Sequence, residues 1–594
     1  IYNKIYKYVY YGGDTMDYKN VYNDWINDDY FDNDTRKELL SIKDNDKEIE
    51  DRFYKDLEFG TGGLRGIIGA GTNRINIYTV SKATQGLANY ILDQKEYSKE
   101  KGVAIGYDSR FMSKEFAEIT ALVLNGNSIK TYLFDELRPT PMVSFAIREL
   151  NCIAGVVITA SHNPPEYNGY KIYGEDGGQV PFPKDTEIIS YVNNVKDFKT
   201  IKKLEKEQSI KDGLFNIIGK EIDEKYDENV LKQLVNKEVI EKASDSLKIV
   251  YTPIHGTGNK PVRRILEKAG FKNVNIVKEQ EQPDCKFSTV DYPNPEDPNA
   301  FKLALKLADE IDADIIVGTD PDADRVGTVV KNNKGEYVIL TGNMMGVLLT
   351  DYILSQRKLK GILSNKGAII STVVSSNMTE KIAKAYNVEY FNVLTGFKFI
   401  GEKIKQFEQT KSNEYIFGFE ESYGCLAGTY ARDKDAVVAT MLICELAAFY
   451  KNQGITLYEG LQEIYKKYGY FKEDIKSITL KGIDGIKDMD KIMHYLRTST
   501  PINVNEKQVI EIRDYKSGEI KDLVNNNVSD TNLPKSNVLY FNLIDKSWFC
   551  VRPSGTEPKI KIYFGVEENS ESDADNKLKS LINNVMNLIE NILK

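Results

Sequence analysis

At 594 residues the chain is too long for one hydrophobic core, so several domains are expected. Its 41% hydrophobic and 28% charged residues exclude a disordered or fibrous protein. A formal net charge of −9 excludes the basic footprint of a nucleic-acid binder, so any anion site must be a local exception in an acidic molecule.

Residues 1–15 carry Lys4, Lys7 and Asp14, which interrupt any signal-peptide core; they precede Met16 and are expected to be an upstream extension. With a following helix they make a first segment, residues 1–40. A strand–loop–helix–strand order then occurs three times. Val103-Ala104-Ile105-Gly106 leads through Asp108 and Ser109 to a helix over 116–124 and a strand over 131–134. Leu247-Lys248-Ile249-Val250 leads through Gly256 to a helix over 262–268 and a strand over 274–277, and Ala368-Ile369-Ile370 leads through Ser375 to a helix over 379–385 and a strand over 390–393. Such units build parallel sheets covered by helices, so three related α/β domains with mixed or parallel sheets are expected over 41–215, 216–340 and 341–468. The Lys/Glu-rich stretch 197–246 predicts a solvated connecting helix. The apolar run 436–450 is short for a membrane span and contains Glu445, so it predicts a buried helix. Beyond Gly469, strands over 508–513, 538–543, 548–551 and 559–564 follow one another before an amphipathic helix over 577–593, which predicts an α+β domain over 469–594. Asn525-Asn526-Asn527 reads as compositional bias. Cys152, Cys285, Cys425, Cys444 and Cys550 are odd in number with no paired spacing, which points to a reducing compartment and no structural zinc.

Four short motifs carry the chemistry. Thr159-Ala160-Ser161-His162-Asn163-Pro164 puts a small nucleophile on a sharp loop after the apolar stretch Ala154 to Ile158, although a serine beside histidine often only caps a turn. Gly318-Thr319-Asp320-Pro321-Asp322-Ala323-Asp324-Arg325 sets carboxylates at alternate positions after another apolar strand, where α/β sheets place ligands. Asp320, Asp322 and Asp324 can converge on a hard, oxygen-ligated ion such as Mg²⁺. An EF-hand is excluded, because its sixth position would be Arg325 instead of Gly and its twelfth Lys331 instead of Glu. A hydroxyl nucleophile with a hard-cation site suggests phosphoryl transfer. Gly418-Phe419-Glu420-Glu421-Ser422-Tyr423-Gly424 offers a carboxylate and a hydroxyl in a Gly-flanked loop. Arg552-Pro553-Ser554-Gly555-Thr556-Glu557-Pro558 is either a hairpin turn or a phosphate cradle of hydroxyls, amides and a guanidinium.

In this order and at these separations, from about Phe59 to about Phe564, the motifs resemble those of the α-D-phosphohexomutase family and its phosphoglucomutase branch. The resemblance implies four domains around a central cleft. It also implies a cytoplasmic isomerase acting on glucose 1-phosphate and glucose 6-phosphate, with Mg²⁺ as cofactor and glucose 1,6-bisphosphate as intermediate and activator. By residue, it implies that Ser161 carries the phosphoryl group and joins Asp320, Asp322 and Asp324 at the metal. His162, Lys171, Lys398 and Arg65 would stabilise charge or move protons beside it. Glu420 and Ser422 would hold sugar hydroxyls, with Arg432 and Lys434 near the sugar phosphate. Arg552, Ser554, Gly555 and Thr556 would hold the phosphate that is not transferred. Tyr423-Gly424 stands where mannose/glucose and glucosamine mutases carry Gly-His, which turns the expectation away from those sugars. Ribose phosphates, or synthesis of the bisphosphate itself, are the alternatives within the class. An aspartate-based sugar phosphatase using Asp320 and Asp322 is the alternative outside it, and it leaves Ser161 and the Arg552 loop unexplained. The expected partners are small sugar phosphates, with neither nucleic acid nor membrane; oligomeric state is open, with a monomer as the default.

Overall fold

The computed structural model describes residues 17–60, 63–94, 98–480, 482–499, 501–504, 506–554 and 559–594. The expected upstream extension, residues 1–15, lies outside them. Helices Tyr18–Asn27, Asn33–Ser41 and Asp46–Phe53 begin at Asp17, Asp32 and Asn45, whose side chains accept the first free amides. They bury Trp25, Phe31 and Phe53 together with Tyr78 of helix Ile77–Asp93, seating the N-terminal segment on the first α/β unit.

The first sheet has seven strands. Its centre, Val103–Tyr107 parallel to Ala154–Ile158, is buried on both faces, which is why both read as unbroken apolar runs. Strand Tyr167–Gly174 returns antiparallel to Ala154–Ile158, so residues 159–166 form the turn at that end of the sheet. Within 197–246 the expected solvated helix is corrected. Strand Phe215–Ile218 pairs parallel with Thr131–Phe134 as the last strand of this sheet, and helix Lys220–Leu231 buries Ile222, Tyr226 and Val230. Four apolar-flanked residues among lysines and glutamates were too short a signal to show an edge strand.

In the second sheet Ile249–Thr252 lies parallel to Ile315–Thr319, which turns back antiparallel into Val326–Lys331 with Thr319 opposite Val326. The three aspartates therefore occupy the tip of a hairpin at a strand's C-terminal end. The third sheet repeats the plan: Gly367–Thr372 is parallel to Glu414–Glu420, which turns into Gly424–Ala427. Helix Ala436–Lys451 is buried along most of its length, and one apolar cluster runs through Val143, Tyr226, Ile315, Phe417 and Leu442, tying the three α/β units together. Glu445 inside that helix accepts the Tyr352 hydroxyl at 2.7 Å and the Asn236 amide at 2.5 Å. Among the described residues no helix is long and apolar enough to cross a membrane.

The last sheet is antiparallel, with helices Gly482–Thr498 and Glu571–Leu593 beside it. Side chains alternate across a strand. In Trp548–Pro553, Phe549 and Val551 pack with Leu581 and Val585 of the last helix, whereas Trp548 and Cys550 pack with Val373, Val374 and Leu394 of the third unit. Asn525 and Asn526 form the turn between strands Glu519–Asp522 and Asn527–Asp530, with Asn526 at φ 55°. That corrects their reading as mere composition: asparagine tolerates the left-handed region that a tight hairpin needs.

Candidate active site

Ser161 begins the turn between Ala154–Ile158 and Tyr167–Gly174, at φ 52°. Its amide is held by Thr159 Oγ1 at 2.8 Å. The side chain is buried: Oγ donates to Asp320 Oδ2 at 3.0 Å and lies 3.1 Å from His162 Nδ1. Burial, followed by the charges of Arg325 and Arg65, holds the imidazole well below its ordinary pKa, so it is neutral at pH 7. Arg65 Nη1 reaches Asn163 Oδ1 at 3.2 Å, next along the same turn.

One carboxylate oxygen from each of Asp320, Asp322 and Asp324 lies within 4.8 Å of the others, and all three residues are buried. Asp320 Oδ1 accepts the amides of Asp324 at 3.1 Å and Arg325 at 3.0 Å. Asp322 Oδ2 accepts Lys171 Nζ at 2.8 Å and Thr140 Oγ1 at 2.9 Å, both from the first unit. Asp324 Oδ2 lies 3.1 Å from Lys434 Nζ of the third unit. Burial and the two neighbouring carboxylates push Asp320 up. At Asp322 burial, the largest single effect, is outweighed by Lys171 together with hydrogen bonding to Asp320 and Thr140, which hold it down. Asp322 Oδ1 and Asp324 Oδ1 are buried and accept no hydrogen bond among the described residues. Two orphaned anionic oxygens in an all-oxygen cluster suit a hard divalent cation, since an unsatisfied buried oxygen otherwise costs about 1–3 kcal/mol.

Lys434 joins this cluster to the Gly-flanked loop: its Nζ is 3.9 Å from Glu420 Oε2, and Glu420 Oε1 accepts the Gly396 amide at 2.7 Å. Ser422 lies on the turn beyond Glu420 and is half-buried. Lys398, near the start of helix Phe397–Thr410, is 3.9 Å from Asp185, and burial lowers its pKa, with Arg552 adding to the effect. Arg552 and Lys561 are cross-strand partners near the ends of two interior strands of the last sheet. The Lys561 amine is also pushed down, first by burial, and it feels Arg325 and Arg552. Ser554 is half-buried, and its amide bonds the Lys559 carbonyl at 2.7 Å; Gly555 and Thr556 lie outside the described residues.

Arg432 does not join this group. Its side chain is fully buried, donates to the Thr429 and Ala431 carbonyls and pairs with Glu408 of helix Phe397–Thr410. Sequence reasoning missed Arg110, Thr140 and Lys561. Arg110 and Thr140 follow the ends of Val103–Tyr107 and Thr131–Phe134, the same strand-end signal that singled out Asp320. Lys561 alternates with Tyr563 on the face of the last sheet that meets the third unit, a placement visible only once the sheet has formed.

Four family models match in order: phosphoglucomutase/phosphomannomutase alpha/beta/alpha domain I over residues 56–199, domain II over 224–335, domain III over 341–468 and the C-terminal domain over 503–577. A phosphoglucomutase of Staphylococcus epidermidis is 38% identical over 545 residues, covering 91% of this chain and 96% of its own. One of Staphylococcus aureus is 38% identical over 551 residues, covering 93% and 97%. Two solved structures share the fold. Parafusin (phosphoglucomutase) from Paramecium, in its open form, has a TM-score of 0.65 at 18% identity and covers 91% of this chain and 95% of its own. A phosphoglucomutase/phosphomannomutase family protein from Burkholderia thailandensis has a TM-score of 0.61 at 16% identity, with coverage of 89% and 97%.

Proposed function

This chain belongs to the phosphoglucomutase/phosphomannomutase family, and on that premise we propose how it interconverts glucose 1-phosphate and glucose 6-phosphate: by phosphoryl transfer through Ser161 and a glucose 1,6-bisphosphate intermediate. The observation that carries the mechanism is the position of Ser161 Oγ, 3.0 Å from Asp320 at the aspartate cluster and 3.1 Å from a neutral imidazole. In the forward half-reaction the phosphoryl group leaves Ser161 for the 6-hydroxyl of glucose 1-phosphate. After the bisphosphate turns over, its 1-phosphoryl returns to Ser161 Oγ. In the first step the 6-hydroxyl proton passes to the departing Ser161 Oγ. In the second the Ser161 hydroxyl turns from Asp320 to His162 Nδ1, within hydrogen-bond reach and uncharged, which takes its proton, and the departing O1 of glucose 6-phosphate takes up a proton. Lys171, held charged by Asp322 and Asp324 despite its burial, offsets negative charge beside the transferring group.

Asp320, Asp322, Asp324 and a phosphoserine oxygen would hold Mg²⁺, which when bound neutralises charge on the phosphoryl group. Glu420 and Ser422 would take a pair of sugar hydroxyls, with Lys434 spanning them and the aspartates. Arg552, with Ser554, Gly555 and Thr556, would take the distant phosphate, and Lys398 stands near Arg552 at that wall. A phosphatase using Asp320 as nucleophile fits less well, because both its oxygens already accept hydrogen bonds. The five unpaired cysteines support a cytoplasmic setting.

Ser161→Ala tests the mechanism. Intact-mass spectrometry should find one phosphate on the wild type and none on the variant, and turnover with a bisphosphate primer should vanish. A fully active Ser161→Ala enzyme removes the phosphoserine route. Comparing kcat/KM for glucose 1-phosphate, ribose 1-phosphate and mannose 1-phosphate tests the sugar assignment.

A further inference from the structure

We propose that Arg110 is the positioning residue of the nucleophile, a device that holds the Ser161 turn through its own backbone carbonyls. The inference rests on Ser161 being the phosphoryl carrier. The turn holds Pro164 and Pro165, which have no amide to donate, and it starts from Ser161 in the left-handed region, uncommon for a residue with a Cβ. Its carbonyls therefore need a donor from elsewhere. Arg110 supplies it from a buried position after strand Val103–Tyr107. Nη1 donates to the carbonyls of Pro164 at 2.7 Å and Tyr167 at 3.0 Å, and Nη2 donates to those of Ser161 and Asn163.

The guanidinium is itself fixed from two sides. Asp108 Oδ2 lies 3.3 Å from Nε, and the ring of Phe287, fully buried in the second unit, lies 5.0 Å from the guanidinium carbon. The unit that carries Asp320 thus also braces the cation that holds Ser161. A planar fork with five N–H donors can serve four carbonyls at once, whereas an ammonium is a point donor on a flexible stem. Arg110 touches neither the Ser161 hydroxyl nor the aspartates through these bonds. Its effect passes through the backbone to Oγ, whose distance from Asp320 it sets.

Arg110→Lys separates position from charge. The expected result is a kcat lower by about 10- to 100-fold, as for a reacting atom displaced by a fraction of an ångström to an ångström, with KM for glucose 1-phosphate within about twofold. The single-turnover rate of phosphoryl transfer from glucose 1,6-bisphosphate to dephosphorylated enzyme, followed by intact mass, should fall by the same factor, with Mg²⁺ affinity by calorimetry unchanged. A wild-type transfer rate in Arg110→Lys overturns the proposal. So does a loss that matches the unfolded fraction, since that marks a merely structural residue. If Arg110→Lys does not fold, Phe287→Leu decides: it removes the brace but keeps an apolar side chain. Slower transfer at unchanged KM supports the proposal, and a wild-type rate overturns it. Ser161→Ala runs beside them. If it keeps turnover, the phosphoserine reading and this proposal fall together, whereas an inactive Ser161→Ala with an unimpaired Arg110→Lys overturns Arg110 alone.

Discussion

Thr140→Val exchanges a hydroxyl for a methyl group at the first position of helix Thr140–Glu149, and it should loosen a loop 182 residues away in sequence. Thr140 Oγ1 donates to Asp322 Oδ2 at 2.9 Å, with both side chains out of contact with water. A hydrogen bond to a charged group contributes about 1.5–3 kcal/mol. Lys171 Nζ remains on the same oxygen at 2.8 Å, so the carboxylate is not orphaned, and the lower part of that range applies, about 1.5–2 kcal/mol. The backbone bond from the Thr140 amide to the Asp322 carbonyl, 2.9 Å, survives the change. Local opening of the aspartate loop should therefore become roughly 10- to 30-fold more frequent. Hydrogen exchange of a peptide spanning 319–325, measured in chelator, reads this directly, because the Asp324 and Arg325 amides are tied to Asp320 within that loop. Thr140→Ser, which keeps the hydroxyl, should exchange like the wild type. Unchanged protection in Thr140→Val, or equal loss in Thr140→Ser, would refute the assignment of this bond as one of the ties between the first two units.

Chelation should silence turnover and Mg²⁺ should restore it, while Asp324→Asn should weaken Mg²⁺ binding by about tenfold or more in calorimetry; turnover that persists in chelator would return the aspartates to a structural role. Arg552→Ala should lower kcat/KM by about 10- to 150-fold, mainly through KM, with Mg²⁺ affinity unaltered; an unchanged value would reduce the Arg552 loop to a hairpin turn. Burial pushes the Glu473 carboxyl up to about 7, and Ser376, across the seam between the last two units, offsets part of that shift. Its folded pKa exceeds its unfolded one, so the folded state is favoured below about 4.5 and progressively loses that contribution as pH rises towards 7. Glu473→Gln should accordingly gain stability over the wild type between pH 5 and pH 8, by about 1–3 kcal/mol allowing for partial solvent screening, and parallel melting-temperature profiles would refute this.

The apolar runs that became Val103–Tyr107, Ala154–Ile158 and Ile315–Thr319 were legible because burial on both faces leaves no polar residue to break the pattern. Ser161 and the three aspartates were legible for a related reason, since each follows such a strand. Strand Phe215–Ile218 was not, because an edge strand of four residues with one exposed isoleucine carries almost no periodic signal. Nor was the turning away of Arg432, because its partner Glu408 stands one helix earlier and nothing in the local motif marks it. Thr140 acts on a carboxylate oxygen brought near by the packing of two sheets, and Arg110 on backbone carbonyls brought near by the pairing of two strands within one sheet, relations that spacing along the chain does not encode.

The alternation along Trp548–Pro553 has a mechanical consequence. Trp548 and Cys550 are the foot of a stiff rod wedged against Val373, Val374 and Leu394, and Arg552 rides at its tip on the same side. At about 3.3 Å per residue the tip stands roughly 13 Å from the foot, so a tilt of about ten degrees at the foot would swing the guanidinium by about 2 Å. That is well beyond what a hydrogen bond to phosphate tolerates. Wear at the foot, such as Val374→Ala, would therefore surface as a poorer grip on a distant phosphate before it surfaced as unfolding, and the last sheet would behave as a calibrated arm rather than a passive cap.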